Sequence, residues 1–200
     1  MTTSALRHSP IDHLLTGTTA IGTGQLKVRT NNPDGASEGV FLGDMTTMTE
    51  KLGVKGPQAV AWLETQDVQV PSTVYATMPH ADVGLVARIG SDEILFELSE
   101  SDPILKTLRE KLDAGLDGVW RVEHQEVTFL LWGPCAKEIL AQTCGVDFSQ
   151  IASEQLVYTR LAVASCAVIP QSSWEMSAYR IWVEPCLAEY LWEVLSEIGG

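Results

Sequence analysis

Gly56-Pro57-Gln58-Ala59-Val60-Ala61-Trp62-Leu63 is matched 77 residues further on by Gly133-Pro134-Cys135-Ala136-Lys137-Glu138-Ile139-Leu140. Gly before Pro marks a strand-to-helix junction. Glycine permits a sharp turn, and proline has its φ preset for the first helical turn. Apolar residues then recur at helical spacing, as in Ala136, Ile139 and Leu140. An extended run leads into each junction, over 51–55 in the first copy and 127–132 in the second.

Working outward, the two copies also end alike. Glu93-Ile94-Leu95-Phe96-Glu97-Leu98 reads as a strand, and Asp102-Pro103 opens a helix with Ile104, Leu105, Leu108 and Leu112 inward. Tyr179-Arg180-Ile181-Trp182-Val183 is the corresponding strand of the second copy, and Pro185 opens the last helix. Leu187, Tyr190, Leu191, Val194, Leu195 and Ile198 fall on one face of that helix at steps of three and four. A further extended run lies inside each copy, over 83–89 and 157–169. The predicted fold is therefore α+β, a β-α-β-β-α unit used twice around one core. The half-units span about 39–118 and 119–200.

Residues 1–38 form an N-terminal arm of weaker pattern. Ser9-Pro10 could cap a short helix, and Thr30-Asn31-Asn32-Pro33-Asp34-Gly35 is turn chemistry. Apolar residues make up 45% of the 200 residues and charged residues 20%, which excludes wholesale disorder. The longest apolar stretch, Leu161 to Ile169, contains Ser165 and is far short of the ~20 residues of a membrane-spanning helix. With no apolar run beside a basic start, the expected location is cytoplasmic.

The net charge of −13 speaks against nucleic acid and anionic membranes as partners, because binding a polyanion needs clustered Lys and Arg. It serves solubility, or a surface that docks on a basic partner. Glu189, Glu193 and Glu197 stack at intervals of four on the last helix and locate part of that charge.

Chemistry-bearing motifs are sparse. Cys135, Cys144, Cys166 and Cys186 form no CxxC pair and the four histidines are scattered, so no metal site is expected. Cys135 stands at a helix start, where a thiol can be activated, but beside Ala136 and Cys144 it reads as a packing residue. No G-x-G-x-x-G, Walker-type loop or serine nucleophile elbow occurs, and Gly22-Thr23-Gly24 lacks the flanking strand and helix of a dinucleotide site. Of the six tryptophans, Trp62 and Trp192 fall on helices and Trp132 and Trp182 on strands, as core or interface anchors.

The run Gly39-Val40-Phe41-Leu42-Gly43-Asp44-Met45-Thr46-Thr47-Met48, followed by Leu52-Gly53-Val54-Lys55-Gly56-Pro57-Gln58-Ala59, resembles the opening of the glycine-cleavage T-protein (aminomethyltransferase) folate-binding superfamily. The likeness runs in order through 83–98, Gly133-Pro134, Thr159-Arg160-Leu161 and 179–183. Full-length members continue into a C-terminal barrel that has no counterpart here. A short two-unit chain with Arg7-His8-Ser9-Pro10 near its start is most similar to the γ subunit family of heterotetrameric sarcosine oxidase. The small subunits of N-methyl-amino-acid dehydrogenases, such as N-methylglutamate dehydrogenase, fit equally.

That resemblance implies a non-catalytic subunit of a complex that oxidises sarcosine or a related N-methyl amino acid and passes the one-carbon unit to tetrahydrofolate. FAD, FMN, NAD, zinc and tetrahydrofolate are then expected in larger partner subunits of the hetero-oligomer. In the superfamily, folate sits at the centre of the duplicated domain, served by an acidic residue in the first unit and a Gly-Glu segment in the second. Asp82 falls at or beside the acidic position, with Val83 and Gly84 where an acidic neighbour is usual. The Gly-Glu segment falls on Trp174-Glu175-Met176, where the glycine is lost. Asp82 and Glu175 are thus degenerate remnants of a folate site; without the family, they read as a turn residue and a loop carboxylate. The alternative is a stand-alone folate-binding aminomethyltransferase-like protein using both. The superfamily's iron–sulfur-repair branch needs a Lys-Gly-Cys-type motif, which surrounds none of the four cysteines.

Overall fold

A computed structural model describes residues 8–21, 26–30, 39–81, 83–172 and 176–199. The first unit contributes strands β3 (Phe41–Asp44) and β4 (Thr49–Lys55), helix α1 (Ala59–Glu64), strands β5 (Thr77–His80), β6 (Gly84–Arg88) and β7 (Glu93–Ser99), and helix α2 (Pro103–Asp113). The second repeats that order with β8 (Trp120–Val122), β9 (Val127–Trp132), α3 (Ala136–Thr143), β10 (Val157–Leu161), β11 (Ala164–Pro170), β12 (Ala178–Val183) and α4 (Ala188–Gly199). The protein is α+β, with two antiparallel sheets and four helices.

Each unit keeps the β-α-β-β-α order and adds strands to it. The run over 157–169 is two strands, because Ala162 and Val163 adopt positive φ (44° and 70°) and fold β10 back on β11. Such a turn favours Gly or Asn, and neither stands there, so nothing in the sequence announced it. The arm holds another hairpin, β1 (Gly17–Ile21) with β2 (Leu26–Thr30), which meets β3 through the pair Arg29 and Asp44. Ser9 and Pro10 precede only a 3-10 turn, Asp12–Leu14. The Asn31–Gly35 turn, Gly22-Thr23-Gly24 and Trp174 lie outside the described residues.

Sheet order shows how the units interlock. One sheet runs β1-β2-β3-β9-β12-β11-β10 and the other β5-β6-β7-β4-β8. The first strand of each unit therefore sits in the sheet of the other: β3 pairs with β9, and β8 with β4. The two Gly-Pro turns lock this exchange in the same way. Gly56 and Gly133 have φ of +133° and +131°. The Gln58 amide donates to Gly118 O at 3.2 Å, and the Cys135 amide to Gly39 O at 3.0 Å. Gly118 and Gly39 lead into the exchanged strands β8 and β3.

Strand alternation then builds four layers. Ile94, Phe96 and Leu98 of β7 pack outward against Leu63 of α1 and Leu105, Leu108 and Leu112 of α2. Phe129 and Leu131 of β9 and Ile181 of β12 pack outward against Ile139 and Leu140 of α3 and Leu191, Trp192 and Leu195 of α4. The inner faces meet at Leu85, Ala87, Leu95, Ala167, Ile169 and Trp182. Asp102 caps α2, its carboxylate accepting from the Ile104 amide at 3.0 Å. Two predictions for the last helix need correction: Pro185 opens a 3-10 turn, with the α-helix starting at Ala188. Tyr190 is exposed and donates to Ala162 O, while Trp192 takes the buried position. Glu189, Glu193 and Glu197 do lie exposed along α4.

Candidate functional site

The seam between the sheets is apolar except at its centre, where charged residues face inward on otherwise apolar strands. Glu97 of β7 is fully buried, as is its cross-strand neighbour Lys51 but for a small fraction of its surface. The equivalent pair of the second unit is Trp182 and Thr128, facing one another across β12 and β9. The four side chains meet where the two units join. Glu97 Oε1 accepts from Thr49 Oγ1 at 2.8 Å and Thr128 Oγ1 at 2.5 Å. Glu97 Oε2 accepts from Arg180 Nη1 at 2.9 Å and Trp182 Nε1 at 2.6 Å. Lys51 Nζ lies 3.4 Å from Glu97 Oε1 and donates to Thr128 Oγ1 and to Glu126 O, at 2.6 and 2.8 Å. Arg180 Nη2 donates to Val83 O at 2.9 Å.

Burial opposes ionisation of Glu97, but Lys51, Arg180 and the hydrogen bonds outweigh it and hold the carboxyl well below the usual range. Burial, with Arg180 nearby, lowers Lys51 despite the attraction of Glu97 and Glu126. Four hydrogen-bond donors and the Lys51 ammonium surround this carboxylate, which is sealed from solvent. The cluster ties the two units together.

Beside it opens a cavity of about 660 Å³, walled by Leu95 and Ile89 from one sheet, by Tyr158, Arg160, Ser165 and Trp182 from the other, and by His124, Glu126 and Glu184. His124 bridges two carboxylates, with Nδ1 3.1 Å from Glu126 and Nε2 3.4 Å from Glu93. Burial lowers its pKa, yet the two carboxylates outweigh this and raise it above the ordinary value. Burial, helped by Glu126, pushes Tyr158 up to about 12. Cys166, also on the wall, is pushed up to about 12 by burial and is no nucleophile at neutral pH.

Asp82 and Glu175 both lie outside the described residues. The centre of the seam, where the resemblance puts folate, is filled by Glu97, Lys51, Arg180 and Trp182, so a pterin does not fit at that point. The Cys135 side of α3 also differs from expectation: Ala136 is buried, while Cys135 is exposed. Among the described residues no three His, Cys, Asp or Glu side chains converge as a metal site would, and no helix is long and apolar enough to cross a membrane.

No protein-family model and no curated protein matches the sequence. Solved structures do match. A chain of heterotetrameric sarcosine oxidase from Corynebacterium sp. U-96, solved in complex with pyrrole 2-carboxylate, superposes with a TM-score of 0.69 at 21% identity. The match covers 98% of this chain and 97% of that one. Glycine cleavage system aminomethyltransferase T from Bartonella henselae superposes with a TM-score of 0.65 at 15% identity, over 96% of this chain. The chain spans only 57% of that aminomethyltransferase. At these identities the likeness establishes the fold.

Proposed function

We propose that the chain is a non-catalytic, γ-type subunit of a cytoplasmic, flavin- and tetrahydrofolate-dependent complex that demethylates sarcosine or a related N-methyl amino acid. The observation that carries this reading is the end-to-end match, 98% against 97%, with a chain of a heterotetrameric sarcosine oxidase. The seam supports the same choice, because the carboxylate at its centre, Glu97, is spent on holding the units together. In this role the chain contributes folded surface to larger subunits, which hold FAD, FMN, NAD, zinc and folate. The arm over 1–38 and the domain over 39–200, with its two half-units, are the parts of that subunit.

Calorimetry with tetrahydrofolate separates the two readings. As a subunit, the isolated full-length chain shows no saturable uptake at 0.1 mM-range ligand, about the concentration at which a folate enzyme would be occupied. Binding in the micromolar range that disappears in Asp82→Ala would establish the stand-alone folate protein instead.

A further inference from the structure

The cavity beside the seam carries a set of polar groups that the fold leaves wholly or partly unused. In β10 and β11, Arg160 faces Ser165 directly. The β11–β12 and β9–β12 pairings end at Cys166 with Val183 and at Val183 with Val127. Ser165, Glu184 and Glu126 are the next residues along these strands beyond the last pairs, and all three line the cavity. Alternation turns all four toward the cavity, which they line. The wall therefore reads, across four neighbouring segments, guanidinium, hydroxyl, carboxylate, carboxylate.

Arg160, Ser165 and Glu184 are exposed, and their side chains make no hydrogen bond or ion pair among the described residues. Glu126 gives Oε1 to His124, while its Oε2 is buried without a partner. Glu126 is already held by His124 and attracted by Lys51, so Glu184 is the carboxylate free to meet an ammonium, with the unpartnered Glu126 Oε2 on the same wall. The guanidinium at the far end is suited to a carboxylate, which it can hold bidentately. Next to this polar row, Tyr158, Ala167 and Trp182 form an apolar and aromatic strip facing Leu95 and Ile89. A volume of about 660 Å³ is within the range of small-molecule sites.

We infer that this cavity binds a small amino-acid-type zwitterion with an apolar body, its ammonium at Glu184 and Glu126 and its carboxylate at Arg160. The cavity needs no partner subunit for any of these groups, so the inference stands or falls independently of the subunit reading. Three probes of one size separate the contributions: phenylalanine, phenethylamine, which lacks the carboxylate, and 3-phenylpropionate, which lacks the amine.

Titrations of the full-length chain, followed by calorimetry, are expected to rank phenylalanine first, with Kd on the order of 0.1 mM, phenethylamine next and phenylpropionate last. Arg160→Gln should weaken phenylalanine about tenfold and leave phenethylamine unchanged. Glu184→Gln should weaken both amines several-fold; both substituted side chains are exposed, so the fold is retained. Phenylpropionate binding as tightly as phenylalanine, affinities indifferent to both substitutions, or no heat from any probe at 10 mM (about a hundredfold above the expected Kd) would overturn the inference.

Discussion

Glu97→Gln is expected to cost about 3–5 kcal/mol of stability, the range for leaving a buried charge without its partner. For a chain of this size that is a fall in Tm on the order of 10 °C. The substitution keeps the shape but removes the charge that Lys51 and Arg180 share, and it turns one acceptor oxygen into an NH2 that faces donors. Two buried cations then face each other across the seam. Lys51→Met should cost much less, because it leaves Glu97 and Arg180 as a balanced pair and removes a cation that burial already disfavours. Urea midpoints of the two variants test this ordering, and equal losses would contradict it.

The same carboxylate sets the acid limit of the fold. Its native pKa lies below the ordinary 4.5, so the native state binds its proton less readily than the unfolded chain. Its contribution is therefore complete above about 4.5 and is lost as the pH falls from there toward the native value. Wild-type stability should drop steeply below pH 4.5, while Glu97→Gln should show a shallower drop from its lower plateau.

Gly56→Ala is expected to be the next most damaging change, and worse than Gly133→Ala. Both glycines hold φ near +130°, where a side chain is strained by about 1–3 kcal/mol. The added Cβ differs in what it meets. At Gly56 it would stand 2.3 Å from Gly118 O, and at Gly133 2.9 Å from Gly39 O. Both contacts are to backbone leading into an exchanged strand, so neither can yield without loosening β8 or β3. Thermal melts of the two variants should rank in that order; equal or reversed losses would show that the turns do not lock the exchange.

The duplicated architecture was legible because its signals are local. Gly-Pro fixes a turn, Asp102-Pro103 fixes a helix start, and the strands flanking them are long apolar runs. The exchanged strands were not legible. Trp120–Val122 is three residues long and largely exposed, so it carries no alternation, and its pairing with β4 is a long-range choice. The cavity was hidden for the same reason. Arg160, Ser165, Glu184 and Glu126 come from three separate stretches of the second unit and are brought to one wall only by strand pairing. One signal was available: Glu97 and Arg180 each interrupt an apolar strand at an inward position. A charge there must be paired, and that implied a buried cluster.

The −13 net charge also has a partial address, since Glu189, Glu193 and Glu197 stand exposed on α4. The measurement that bears most directly on the subunit proposal is native purification of the tagged, full-length chain from its own cells. The proposal predicts a yellow assembly containing larger subunits in fixed ratio, which oxidises an N-methyl amino acid and loses that activity when this chain is depleted. Recovery of a colourless monomer, with the N-methyl amino acid oxidation of the extract unaffected by its removal, would contradict it.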